Sequence, residues 1–266
     1  MNPAILHVDR LSCAYARNRV LRDLTFQVAR GEVFIIIGPN GSGKTTLIKA
    51  LTGLLPVSAG TVHFEDRPLA EYRRRELARC VAYVAQAAAA DSPFSVRETV
   101  LMGRAPFLGV LGVEGEADLD IVRQAIAFTG LDRLADRRLS QLSGGERQRA
   151  YIARAICQQP ALMLLDEPTA ALDLANQMRI MDLMNRLRSD AGTTIVMVSH
   201  DINLAAMYAD RILLLVKGRI RACGAPGDII DEKLLTSAYG CPLHVDRSPY
   251  GAWPQVHLIP DLKERS

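Results

Sequence analysis

An uninterrupted apolar run, Val33 to Ile37, leads directly into Gly38-Pro39-Asn40-Gly41-Ser42-Gly43-Lys44-Thr45, and Lys44 to Leu51 then reads as a helix. Strand, glycine loop, helix is the order that a phosphate cradle requires. Glycines at 38, 41 and 43 let successive backbone N–H groups turn inward as an anion nest. The positive end of the helix dipole adds to that nest. In such a loop Lys44 reaches terminal phosphates and Thr45 offers its hydroxyl to Mg2+. A continuous apolar run also suits a parallel strand buried on both faces.

Three further segments extend this pattern. Val81 to Val84, Leu162 to Leu165 and Thr194 to Val198 read as strands, and the last two as buried ones. Leu24, Phe26 and Val28 alternate with polar neighbours, as in a half-buried strand. Strands separated by helices predict an α/β fold, a mostly parallel sheet with helices on both faces. Ligands bind beyond the carboxyl ends of such strands. The glycine loop, Asp166 with Glu167, and His200 all fall at such ends. Between Ala87 and about Gln159 the character changes. Val96 to Met102, Leu119 to Phe128 and Glu146 to Cys157 read as helices, which predicts a helical subdomain inserted into the sheet domain. The tail after Lys217 holds short elements, including Pro242 to Val245 and Gln255 to Ile259.

Composition narrows the functional classes. Apolar residues make up 49% of the 266, ample for a buried core, and the net charge of +3 is mild. Charges of both signs are interspersed, so the clustered footprint of a nucleic-acid binder is missing. Arg73-Arg74-Arg75 lies beside Glu71 and Glu76 and reads as a solvated helix face. Cys13, Cys80, Cys157, Cys223 and Cys241 are far apart with no C-x-x-C, which argues against a disulfide framework or a zinc site and fits a reducing compartment. Met1 to His7 lacks the basic and apolar regions of a signal peptide. Apolar stretches such as Ala161 to Leu165 and Ile212 to Val216 fall far short of the roughly 20 residues that cross a bilayer. A soluble, cytoplasmic protein is expected, with any membrane role exercised through a partner.

The polar residues at the strand ends carry the chemistry. Asp166 emerges from a buried strand, as suits a carboxylate that holds Mg2+ through water. Glu167 is the candidate to orient and deprotonate an attacking water. His200 is a candidate γ-phosphate ligand that helps orient the same water. Gln86 follows the Val81 to Val84 strand and offers an oxygen to Mg2+ or water. Tyr15 is a candidate adenine stack, or simply a packed tyrosine. Ser143-Gly144-Gly145, followed by Glu146, opens a helix. Ser143 is a natural N-cap, yet two glycines at a helix start make a second anion site. A triphosphate already enclosed by the first loop has no use for the second on the same chain, so a second copy is expected to supply it.

Together these residues resemble the ATP-binding subunit of ABC transporters. Gly38 to Thr46 resembles the Walker A loop, so the resemblance assigns nucleotide contacts to Gly38, Pro39, Asn40, Gly41, Ser42, Gly43, Lys44, Thr45 and Thr46. Gln86 resembles the Q-loop glutamine, Leu142 to Glu146 the signature motif, and Leu162 to Glu167 the Walker B segment. Ala171-Leu172-Asp173 resembles the D-loop, with Asp173 at the shared site, and His200 the switch histidine. The resemblance implies a P-loop, RecA-like core with an N-terminal antiparallel β subdomain. It implies one domain over 1–266: sheet core and β subdomain at 1–86 and 160–240, helical subdomain at 87–159, extension at 241–266. It also implies ATP and Mg2+, and a head-to-tail homodimer in which Lys44, Glu167 and His200 are catalytic.

Finer matches lie in Arg75 to Arg79, Val81 to Gln86, Val96 to Arg104, Leu142 to Arg149 with Glu146 in the signature, Ser199 to Ala206, and Ala238-Tyr239-Gly240. These resemble importers of ferric siderophores, haem and cobalamin, although Ala85 stands where that subfamily usually has proline. The implied partners are integral-membrane permease subunits and, indirectly, a substrate-binding protein, with no nucleic acid. The implied location is the cytoplasmic face of the membrane. A groove beside Gln86, over 87–110, is the candidate seat of a permease helix, with Phe94, Phe107 and Leu108 either lining it or packing internally. Alternatives are an ATPase subunit serving another solute or a soluble ABC-type ATPase of DNA repair or translation. The latter carries a coiled-coil insertion or two ATPase units, and neither is here. A phosphate-loop kinase or GTPase would leave Leu142 to Glu146 without a role, and the chain lacks a guanine-reading N-K-x-D.

Overall fold

The computed structural model describes residues 3–15, 18–86, 92–109 and 112–260. Ala87 to Ala90, the segment after the Q-loop glutamine, lies outside the described residues.

Two long strands, β1 (Ala4–Tyr15) and β2 (Asn18–Ala29), open the chain. Then come β3 (Val33–Ile37), α1 (Lys44–Leu51), β4 (Ala59–Phe64) and the two-residue β5 (Arg67–Pro68). After α2 (Arg74–Cys80) and β6 (Val81–Val84) the chain turns helical, with α3 (Val96–Leu101), α4 (Glu116–Phe128) and α5 (Gly144–Cys157). Sheet structure resumes with β7 (Leu162–Asp166), α6 (Leu174–Ala191), β8 (Thr194–Val198), α7 (Ile202–Tyr208), β9 (Arg211–Val216) and β10 (Arg219–Gly224). The carboxy-terminal part holds α8 (Pro226–Ile229), α9 (Glu232–Tyr239) and a hairpin of β11 (Leu243–Arg247) and β12 (Pro254–Leu258).

The central sheet runs β10-β9-β3-β8-β7-β6, parallel except for β10. The amino-terminal sheet, β2-β1-β4-β5, is antiparallel. Alternation along β3 explains how the layers join. Phe34 and Ile36 face a cluster shared with β1, β2 and α1, while Val33, Ile35 and Ile37 face one shared with α6 and α7. All five residues are buried, so no polar face is needed. A third cluster, including Val100, Ile126, Leu131 and Leu139, is the core of the helical region. Helix α5 divides its apolar surface: Ile152 and Ala155 join the sheet's core, while Ala150, Ala153 and Cys157 join the helical one.

Helix starts depart from the sequence pattern for a local reason. Helix α4 begins at Glu116, ahead of Leu119, because the Asp118 carboxylate accepts the Gly115 N–H at 3.1 Å. Helix α5 begins at Gly144, directly after Ser143, the N-cap that the sequence offers, and so two residues ahead of the periodic run from Glu146. The Ser143 hydroxyl accepts the Glu146 N–H at 3.3 Å and the Glu146 carboxylate accepts the Ser143 N–H at 2.8 Å, a reciprocal cap. The triple arginine is not only solvated. Arg75 donates to the carbonyls of Pro106 and Leu108, and Arg79 to that of Pro106, tying α2 to the segment after α3. All five cysteines are free thiols.

Candidate functional site

Four parallel strands deliver their carboxyl ends to one edge of the central sheet. Ile36 stands opposite Val198, Asp166 opposite Val198 and Val84 opposite Leu165. The residues just beyond, Gly38, Gln86, Glu167 and His200, therefore converge. A cavity of about 500 Å³ opens there, lined by Val20, Asn40 to Thr46, Gln86, Glu167 and His200.

The loop is held from beneath. The Gly218 N–H, in the turn between β9 and β10, donates to the Ser42 carbonyl at 3.0 Å. Leu215 approaches so closely that a Cβ on Gly38 would lie 2.0 Å from its carbonyl oxygen. Gly43 caps α1 at φ 104°, a left-handed conformation that glycine tolerates best. Lys44 is almost wholly buried, and its ammonium donates to the carbonyls of Gly38 at 2.8 Å and Pro39 at 3.1 Å. Burial pulls Lys44 below the ordinary lysine value, opposed by the charges of Glu167 and Asp166.

Behind the loop, the Thr45 hydroxyl donates to Asp166 Oδ1 at 3.1 Å. Burial raises the Asp166 carboxyl above its ordinary range, the Thr45 bond lowers it, and the Glu167 charge raises it further. Glu167 occupies a left-handed backbone conformation, φ 51°, which costs about 1–3 kcal/mol for a non-glycine residue and gathers at functional sites. One carboxylate oxygen of Glu167 accepts from Gln86 Nε2 and the other lies 2.5 Å from His200 Nε2. The buried carboxylate is thus gripped from two sides by residues on different strand ends.

The donor set fits Mg2+. Among the described residues no cluster of three or more His, Cys, Asp or Glu side chains could hold a metal by itself. A cation here would lean on phosphate oxygens with one hydroxyl and one carboxylate, which is how Mg2+ is usually bound. Thr45 and Asp166 supply those groups, and Gln86, having given its N–H to Glu167, keeps its carbonyl oxygen for a cation.

Other sequence candidates stand apart. Ser143, Gly144, Gly145 and Glu146 do not line the cavity, and the first two are exposed. Asp173 is exposed and caps α6, accepting the Asn176 N–H at 2.8 Å. Asn176 also accepts from Arg149 at 3.2 Å, joining α6 to α5. Tyr15, 47% exposed, ends β1 and is not part of the lining. Val20 on β2 is, and Gly218 braces the loop. Neither carried a sequence signal, because each acts through its place in a neighbouring hairpin or turn. Phe107 lies under the Arg104 guanidinium, 3.9 Å from ring centroid to carbon, while Phe94 is exposed.

Known proteins resemble this chain over most of its length. The ABC transporter family model matches residues 21–170. The hemin import ATP-binding protein HmuV of Rhodococcus jostii is 41% identical over 92% of this chain and 82% of its own. The ferric enterobactin transport ATP-binding protein FepC of Escherichia coli is 36% identical over 95% and 93%. A solved metal-chelate type ABC transporter in an inward-facing conformation superposes with TM-score 0.86 at 30% identity, covering 98% of both chains. Phosphate loop, carboxylate pair, histidine and a matching family model over more than half the chain lead to one conclusion: the protein is an ATPase that belongs to the ABC transporter family.

Proposed function

We propose that this ATPase powers uptake of a metal chelate, of the hemin or ferric siderophore class, through a membrane permease. Two relatives support the cargo class, since their names specify hemin and ferric enterobactin. The observation that carries the mechanism is the divided site. The cavity holds Lys44, Thr45, Gln86, Glu167 and His200, while Ser143 and Gly144 at the start of α5 are exposed and do not line it. A second copy, packed head to tail, would bring its Ser143 to Glu146 and Asp173 to the phosphates and complete the enclosure.

In this reading residues 1–266 act as one ATPase domain. Helix α1 and the loop amides bind the β- and γ-phosphates and Lys44 leaves its carbonyl partners to neutralise them. Tyr15 stacks on the adenine from the rim, and Pro39 and Thr46 complete the loop's contacts. Thr45, Asp166 and Gln86 would hold Mg2+, which when bound neutralises phosphate charge. Glu167 accepts the proton of the attacking water, and His200 orients that water. Each Glu167 oxygen has one partner, Gln86 or His200, and keeps a second lone pair to accept from the water.

No helix among the described residues is long and apolar enough to cross a membrane, so a permease supplies the path. A groove of about 1000 Å³ runs between the amino-terminal sheet, α2 and the turn after α3, with Leu54, Tyr72, Leu77, Met102 and Pro106 on its walls. We assign an amphipathic permease helix to it; Phe94, Phe107 and Leu108, the candidates the sequence offered beside Gln86, are not on its walls, and residues 87–91 and 110 lie outside the described residues. The enzyme would then work at the cytoplasmic face of the membrane, beneath a permease fed by a substrate-binding protein.

Co-expression with candidate permeases and reconstitution in vesicles tests the reading. ATP hydrolysis should rise on adding hemin or a ferric siderophore with its binding protein. Stimulation by an unrelated solute alone would replace the cargo assignment. Association with DNA or ribosomes and with no permease would overturn the transport role.

A further inference from the structure

Asn203 lies three residues after His200, in the first turn of α7. Its side-chain amide makes two hydrogen bonds to one residue. Asn203 Oδ1 accepts the Val256 N–H at 2.8 Å, and Asn203 Nδ2 donates to the Val256 carbonyl at 3.2 Å. Val256 sits in β12, opposite Val245 of β11. Both of its backbone groups turn outward, away from the hairpin partner, and an outer strand edge leaves such groups unpaired unless something covers them. The amide of Asn203 reproduces a peptide group and covers them.

The hairpin is also seated by packing. Val245, Trp253 and Val256 lie against the buried cluster that contains Leu204, Ala205 and Ala206 of α7. On its other side α7 begins immediately after His200. Asp201 caps it by accepting the Leu204 N–H at 2.9 Å, and Ser199 Oγ bridges Asp201 N and O at 3.1 Å each. His200 itself is exposed, and its ring meets Glu167. The ring's position is therefore set by the backbone of the turn that carries it. That turn is continuous with a helix whose rotation two bonds to one strand residue can fix.

We propose that Asn203 is a positioning residue for ATP hydrolysis, through which the carboxy-terminal hairpin sets where His200 meets Glu167. The proposal rests on the reading of Glu167 and His200 as the pair that handles the attacking water. Loss of the clamp lets α7 and its leading turn shift. A displacement of the imidazole misplaces the water without altering the phosphate loop. The hairpin thereby gains a task in a region that carries no nucleotide motif.

Steady-state hydrolysis by the full chain tests this with four variants. Asn203→Ala should lower kcat about tenfold, equivalent to about 1.36 kcal/mol of lost transition-state stabilisation, with KM for ATP unchanged. Asn203→Asp keeps an acceptor for the Val256 N–H but sets a carboxylate oxygen against the Val256 carbonyl, so it should be at least as slow as Asn203→Ala. His200→Ala should lower kcat on its own. The double variant Asn203→Ala/His200→Ala should be no slower than His200→Ala, since the clamp acts only through the histidine. An Asn203 penalty that persists undiminished in the double variant, or a rise in KM equal to the loss in kcat, marks a merely structural role and overturns the proposal. Unchanged kcat in His200→Ala overturns the reading of the histidine, and the proposal with it.

Discussion

Thr45 and Asp166 are separated by 121 positions in the chain, yet the Thr45 hydroxyl donates to Asp166 Oδ1 at 3.1 Å. The first residues of α1 and the end of β7 are thereby joined at one corner of the nucleotide cavity. The carboxylate there is 1% exposed and fights its own burial. Burial opposes its negative charge, at a cost to the fold, which leads to a pH-dependent prediction.

Burial raises the Asp166 carboxyl above its ordinary value of 3.8, against the opposing effect of Thr45. The folded state then holds the proton more tightly than the unfolded chain. Stability from this group is greatest at low pH and falls as pH rises from the unfolded value through the raised folded one. At neutral pH, above the unfolded value, this cost is present. Asp166→Asn removes the charge and keeps an acceptor for Thr45. Its melting temperature should exceed wild type at pH 7, corresponding to about 0.5–2 kcal/mol, with the gap closing near pH 4. Calorimetry at both pH values measures this, and titration with ATP should reveal loss of the Mg2+-dependent part of binding.

Glu167→Gln should hydrolyse ATP about 10²–10⁴-fold more slowly, the usual loss when a positioned base is removed. ATP affinity should survive, because Lys44 and the loop amides are untouched. Size-exclusion chromatography with ATP should then capture a stable dimer. A hydrolysis rate equal to wild type would remove Glu167 as the base.

Ser143→Arg should abolish turnover while a single chain binds ATP as before, since Ser143 is exposed and lies off the cavity lining. Losing the cap costs about 1 kcal/mol, so a thermal melt should accompany the assay. A collapse of single-chain affinity would contradict the divided site.

Gly38→Ala should fail for a different reason. The new methyl group would meet the Leu215 carbonyl at 2.0 Å, so either the loop or β9 must move. Overpacking of this kind costs about 1–3 kcal/mol. Thermal unfolding should shift down and nucleotide binding should be lost together, whereas Gly41→Ala has open space around its Cβ and should be milder.

Period and punctuation in the chain were enough to identify the phosphate loop, the buried strands β3, β7 and β8, and the helices around Val100, Ile126 and Ile152. Those signals are local: an apolar run cannot be solvated, and a glycine-rich turn before a helix start has few other uses. The strand-end rule also brought Asp166, Glu167 and His200 to one edge before any contact was known. What only the tertiary structure decided is how those ends are finished. That Glu167 is gripped by Gln86 and His200, that Val20 lines the cavity and Gly218 props the loop, and that Arg75 ties α2 to Pro106 and Leu108 are contacts between segments far apart in sequence. The clamp of Asn203 on Val256 is of the same kind. No periodicity encodes such pairs, because each residue is unremarkable until packing of the layers removes water and leaves its partner the nearest group able to satisfy it.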